Sequence, residues 1–186
     1  MDAGLRAAGR AGLRGLLLLA VGGGSAAAQS ATPSFLEEFE LQFEASARKL
    51  VALAEAMPES TYAWSPGEGV STVARVYMHI ARYNYMYPEQ NMGLTPPVSA
   101  SEYRRWEDEV TDKAAVVEIL SASMQYVRSV VEDARRPGQL DDATTLYGRR
   151  VGEWAVLFQL ITHMNEHLGQ SIAYARSNGV VPPWSR

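Results

Sequence analysis

Between Phe35 and Asn178 four stretches carry apolar residues at steps of three and four, each closed by proline or glycine. That period lets an α-helix bury one face, so it limits the chain to packings of amphipathic helices. In the first stretch Phe35, Leu36, Phe39, Phe43, Ala47, Leu50, Leu53 and Met57 hold the register until Pro58. Ser34 precedes it and Glu37 follows three residues later, the form of a capping box. The second stretch starts at Ser71 or Thr72, either able to cap it. It turns Val73, Val76, Tyr77, Ile80 and Tyr83 or Asn84 inward, with Pro88 predicted as its limit. The third begins after Thr111 or Asp112, repeats through Val116, Ile119 or Leu120, Met124, Val127 and Val131, and ends by Pro137-Gly138. The fourth is predicted from about Gly152 to Ser177, with Asn178-Gly179 as its stop and Pro182-Pro183 preventing its return. Asp141 to Thr145 reads as a polar loop, and no alternation long enough for a strand is present. The fold class is therefore all-α. From Gln90 to Thr111 runs a long connection with Pro96-Pro97 and one short helical turn around Ser101 to Glu107. The expected architecture is a four-helix bundle with a long crossover between helices 2 and 3, which need not be antiparallel neighbours.

Residues 1–28 differ from the rest. Arg6, Arg10 and Arg14 give a positive start, Leu16 to Val21 an apolar run, and Ala26-Ala27-Ala28 a small-residue end. This order is that of a signal peptide cleaved near Ala28, leaving one domain over 29–186 that is exported to a periplasm or secreted. The apolar run falls short of the roughly 20 residues of a membrane span, so no permanent anchor is expected. Without the leader, the 17 basic and 21 acidic residues become 14 and 20, a net charge of −6. A protein this acidic has no electrostatic footprint for nucleic acid or an anionic membrane. Cysteine is absent. Thiol nucleophiles, zinc ribbons and disulfides are thereby excluded, and stability must come from burial and from any bound metal.

The chain has three histidines. His163 and His167 are four apart on helix 4, so their rings point the same way one turn from each other. Two such imidazoles can chelate one ion, as in H-E-x-x-H helices. Here the spacer is Met164-Asn165-Glu166, so the glutamate of that motif is missing from its position, which argues against a peptidase, and Glu166 lies about 100° round the helix from His167. His79 falls on the inward side of helix 2. Facing bundle helices build metal sites from such inward side chains, so His79, His163 and His167 are the candidate metal ligands. Three neutral nitrogen donors leave an open position of the kind found in catalytic rather than structural zinc sites. One divalent ion is expected, zinc or nickel first, with iron, manganese or copper also compatible. Gln170, Asn84, Glu68 and Glu166 are candidates to orient the ring nitrogens facing away from the ion.

The segments VARVYMHIARYN around His79 and HMNEHLGQSIAYARSNGVVPP after His163, with WSPGEGVSTVARV leading into helix 2, resemble the DinB-like superfamily. The resemblance runs through the 29–186 region, although helices 1 and 3 match mainly in pattern. It implies a bundle with a crossover after helix 2, a three-histidine divalent metal site, and an ion that activates a thiol or a water for transfer, isomerisation or hydrolysis. Export favours a metal-dependent hydrolase, since low-molecular-weight thiols are cytosolic. The alternatives are a non-catalytic exported metal- or ligand-binding bundle, including a homodimer packed through bundle faces, and a structural bundle whose site has decayed. The small-molecule ligand and the catalytic residues are not specified by the sequence. Tyr62, Trp64, Tyr77, Tyr83, Tyr85 and Tyr87 enrich helix 2 and its approach in aromatics, mostly as core, with Tyr83 sharing the face of His79. The methionines read as gap-filling core, and Arg135-Arg136 and Arg149-Arg150 as solvated surface.

Overall fold

The computed structural model describes residues 32–185. The predicted leader and residues 29–31 lie outside them. Among the described residues no helix is long and apolar enough to cross a membrane.

Helix α1 spans Phe35–Ala56. Its capping box is complete: the Ser34 hydroxyl accepts from the Glu37 amide, and the Glu37 carboxylate accepts from the Ser34 amide. Leu36, Phe39, Phe43, Ala47, Leu50 and Leu53 form its buried face. A short turn follows, where Tyr62 donates its hydroxyl to the Ala54 carbonyl and accepts the Ala74 amide on its own carbonyl. The Thr72 side chain caps α2, which runs Val73–Met92.

Helix α2 passes through Pro88, contrary to expectation. Proline there removes one backbone donor, a loss of a few kcal/mol in an unsupported helix. Burial of Tyr85, Tyr87 and Pro88 itself offsets it, and Gly93, in the left-handed region at φ 68, supplies the stop. The crossover holds two short helices, α3 (Ala100–Tyr103) and α4 (Trp106–Glu109), rather than one turn. Helix α5 covers Lys113–Ala134 behind an Asp112 cap, and Lys113 reaches back to the Glu55 and Met57 carbonyls at the end of α1. Helix α6 covers Trp154–Ser177.

Each of α1 and α2 packs against α5 and α6, so α1 faces α2 across the diagonal and α5 faces α6 likewise. Asn84 meets Ser123 and Tyr85 meets Tyr126 in step, so α2 and α5 are parallel. Phe35 against Trp154, and Ser46 bonded to Asn165, make α1 and α6 parallel. The Arg128–Glu44 and Arg135–Glu40 pairs join α5 to α1 in opposite directions. The crossover thus returns the chain along the bundle, giving an up-down-down-up order.

A second departure from expectation precedes α6. Ala143–Leu146 (β1) and Arg149–Gly152 (β2) form an antiparallel hairpin, and α6 starts two residues later than predicted. Each strand has four residues, too few for alternation to register. The two-residue turn is Tyr147-Gly148, with φ of 50 and 75, the signs of a type I′ turn. At Gly152 an added Cβ would lie 2.7 Å from the Trp154 ring and 2.9 Å from the Leu140 carbonyl oxygen, so the hairpin meets α6 through a glycine.

Leu50 is fully buried. Leu50→Ala is expected to cost about 2–5 kcal/mol in urea unfolding, whereas Leu41→Ala, at a residue 65% exposed, leaves the midpoint within about 0.5 kcal/mol.

Candidate metal centre

The antiparallel contact of α2 with α6 creates the site. On α2, Arg75, His79, Tyr83 and Tyr87 succeed one another every four residues. They face Gln159, His163 and His167 on α6, which keep the same step. The His79 ring centroid lies 5.0 Å from that of His163 and 4.8 Å from that of His167, and the helix-6 pair are 4.6 Å apart. One nitrogen from each ring lies within 4.8 Å of the others, so the three predicted ligands converge on one point. Donors about 2.1 Å from a shared ion sit no more than about 4.2 Å apart, so binding requires a small side-chain rotation. All three rings are half-buried, and His79 keeps 28% of its side chain exposed.

Two rings have their tautomers fixed by neighbours. Glu107 on α4, whose side chain is 7% exposed, accepts from His79 Nδ1 at 2.9 Å and from Arg82 Nη1 at 2.9 Å. Arg75 adds an ion pair at 3.4 Å. Burial alone would push the Glu107 carboxyl up, but the His79 bond and then Arg82 outweigh it and hold the group below its usual range. An ionised carboxylate can only accept, so His79 carries its proton on Nδ1 and turns Nε2 to the cluster.

On α6 the assignment runs inward from a backbone oxygen. Tyr174 donates to the Ser71 carbonyl at 3.1 Å, so its oxygen accepts from Gln170 Nε2 at 3.0 Å. Gln170 Oε1 then faces His167 Nδ1 at 2.8 Å, making that nitrogen the donor and leaving Nε2 free. His163 lies against Tyr83 and Tyr87, with centroids 4.6 and 5.9 Å away. Burial first, then His167 and His79, lower its pKa from 6.5 to about 3, with Glu107 opposing. The donor set is chemically suited to a divalent cation: three imidazoles, one held neutral and two with free Nε2 atoms.

Of the expected orienting residues, Gln170 is in place. Asn84 is not, because it is buried one turn past the cluster and donates to Ser123. Glu68 and Glu166 are exposed and make no bond to the rings. Glu107 takes the role instead. It sits in the charged run RRWEDEV, where an acid reads as solvated surface. The available signal was spacing: Tyr103, Trp106 and Glu107 fall at i, i+3 and i+4, which puts the acid on the buried face of a short helix.

Fold and site together define a helical bundle with a three-imidazole cluster able to hold a metal ion. The chain belongs to the DinB superfamily, whose sequence pattern it matches over residues 42–174. Among solved structures it resembles a DinB-like protein from Bacillus cereus, at 20% identity and a TM-score of 0.62, covering 80% of this chain and 93% of that one. A DinB-like protein from Bacillus subtilis aligns at 20% identity and a TM-score of 0.56, covering 77% and 93%. A mycothiol-dependent maleylpyruvate isomerase aligns at 15% identity and a TM-score of 0.55, covering 74% of this chain and 62% of that one. No curated protein matches significantly.

Because folded His163 stays neutral where a free histidine takes up a proton, the unfolded chain gains a proton that the fold does not as pH falls below 6.5. The metal-free protein is expected to keep this stability above pH 6.5 and lose it progressively toward about pH 3. Thermal unfolding from pH 7 to 4 measures the loss, and His163→Asn should flatten it.

Proposed function

We propose that this chain is an exported divalent-metal protein in which His79, His163 and His167 hold one ion and leave a coordination position for a small molecule. It would then act as a metal-dependent hydrolase or transferase. The observation that carries the reading is the pair of outward bonds, His79 to Glu107 and His167 to Gln170. They fix two free nitrogens toward a common point, as metal sites do. A divalent ion there supplies a Lewis acid that lowers the pKa of a ligating water or thiol. The protein's own residues turn a nitrogen of His79 and of His167 inward, keep His163 neutral by burial, and wall the position with Tyr83 and Tyr87.

The isomerase of the same fold is mycothiol-dependent by name. A thiol at the open position is the transferase form of this reading, and export favours water over such a thiol. One observation supports a non-catalytic metal- or ligand-binding bundle instead. Glu107, the carboxylate bonded to the cluster, is already engaged by His79, Arg82 and Arg75 and is not free to exchange a proton with a substrate.

Metal analysis of protein purified without affinity-tag histidines should find one divalent ion per chain. His79→Ala and His163→Ala should each abolish stoichiometric binding, and Glu107→Gln should weaken it about 10- to 100-fold. Unchanged metal content in both alanine variants would rule the site out. Full metal with no turnover across hydrolase and thiol-transfer substrates would favour the binding module.

A further inference from the structure

Among the described residues, α3 and α4 are attached to the bundle by side chains and not by backbone bonds. The backbone amides from Glu102 to Val110 that bond do so to carbonyls of Ser99 to Trp106, inside the crossover. Tyr103 is fully buried, stacks on Tyr85 and donates its hydroxyl to Glu89. Trp106 meets Tyr85 edge to face. Glu107 bonds His79 and Arg82, and Asp108 pairs with Arg75. All these partners lie on α2. A segment held this way, with helices of four residues, opens locally at a lower cost than the whole fold.

One of these attachments ends on a ligand of the histidine site. His79 gives its Nδ1 proton to Glu107 and turns Nε2 to the cluster, so an ion and the crossover hold opposite sides of one ring. An imidazole coordinated through Nε2 is a stronger donor at Nδ1, and a carboxylate on Nδ1 makes Nε2 a better ligand. Two events that strengthen each other are linked, and the factor is the same in both directions. Tyr103 and Trp106 contact Tyr85 rather than a histidine, so they act on the ring only by keeping Glu107 in place.

We propose that the crossover is a strap coupled to the metal site: an ion on the histidines locks α3 and α4 against α2, and release of the strap weakens the hold on the ion. The coupling rests on the metal-site reading above and concerns how that site keeps or gives up its ion. Arg104 and Arg105 lie exposed at the junction of α3 and α4, which gives trypsin a cut that reports strap opening. When opening is fast, the cutting rate follows the open population.

Fragment masses measure trypsin cleavage at Arg104 and Arg105 in the full-length protein, with and without saturating zinc(II). Zinc should slow this cut about five- to fiftyfold. Zinc affinity is measured by competition with a chelator. Trp106→Ala should weaken it about five- to fiftyfold and Tyr103→Phe about two- to fivefold, although neither side chain bonds or stacks on a histidine. Tyr103→Phe keeps the ring and is decisive where Trp106→Ala does not fold. Leu50→Ala, in the core on α1, lowers stability but should leave zinc affinity within about twofold. Stoichiometric zinc with an unchanged cutting rate overturns the strap and leaves the metal site standing. So does wild-type affinity in the folded crossover variants, or an equal loss in Leu50→Ala. Failure of the wild type to take up zinc overturns both.

Discussion

Tyr85 is the surface on which the crossover is built. Its ring stacks on Tyr103, meets Trp106 edge to face at 5.6 Å, and stacks on Tyr126 of α5 at 4.9 Å. Helices α3 and α4 have four residues each and little stability of their own. Their position comes from these aromatic contacts, each worth about 0.5–1.5 kcal/mol beyond the area it buries. The same cluster presses α5 against α2. Glu107 is adjacent to Trp106 in sequence, so anchoring the indole brings the carboxylate to His79. Burying a carboxylate costs several kcal/mol, and here charged hydrogen bonds from Arg82 and His79 offset that cost. An aromatic core thus sets the chemistry of a ring on another helix.

The histidine cluster draws its order from three directions. The crossover orients His79 through Glu107. The start of α2 orients His167 through the chain from the Ser71 carbonyl to Tyr174 and Gln170. His163 has aromatic walls, and its burial excludes the charged form. A neutral His163 packed within 5.0 Å of His79 and His167 adds no positive charge to the cluster.

Features written in local chemistry were legible in the sequence. The Ser34 capping box, the Thr72 and Asp112 caps and the Asn178-Gly179 stop depend on neighbours a few residues away, and each lies where the spacing puts it. The convergence of His79 with His163 and His167 was legible too, because helical phase fixes which side chains face inward. What was not legible depended on distant partners. Pro88 stays helical because of tertiary burial, a context that outweighs propensity. The hairpin is too short to show a period and is secured by Asn91 from another element. Asn84 bonds Ser123 instead of a histidine ring, and Glu107 takes the orienting role because the fold brings it beside His79.

The bundle order has a consequence for how the chain can come apart. The helices joined by the two ordinary connections, α1 to α2 and α5 to α6, lie across diagonals, and the adjacent consecutive pair, α2 and α5, is parallel. Among the described residues no stretch of sequence therefore forms a self-contained helical hairpin. Every large buried face belongs to partners distant along the chain, which raises contact order and slows folding relative to an up-and-down bundle. A fragment cut within the crossover would retain neither antiparallel pair, since α1 needs α5 and α2 needs α6. The domain is built to gain or lose its structure as one cooperative unit.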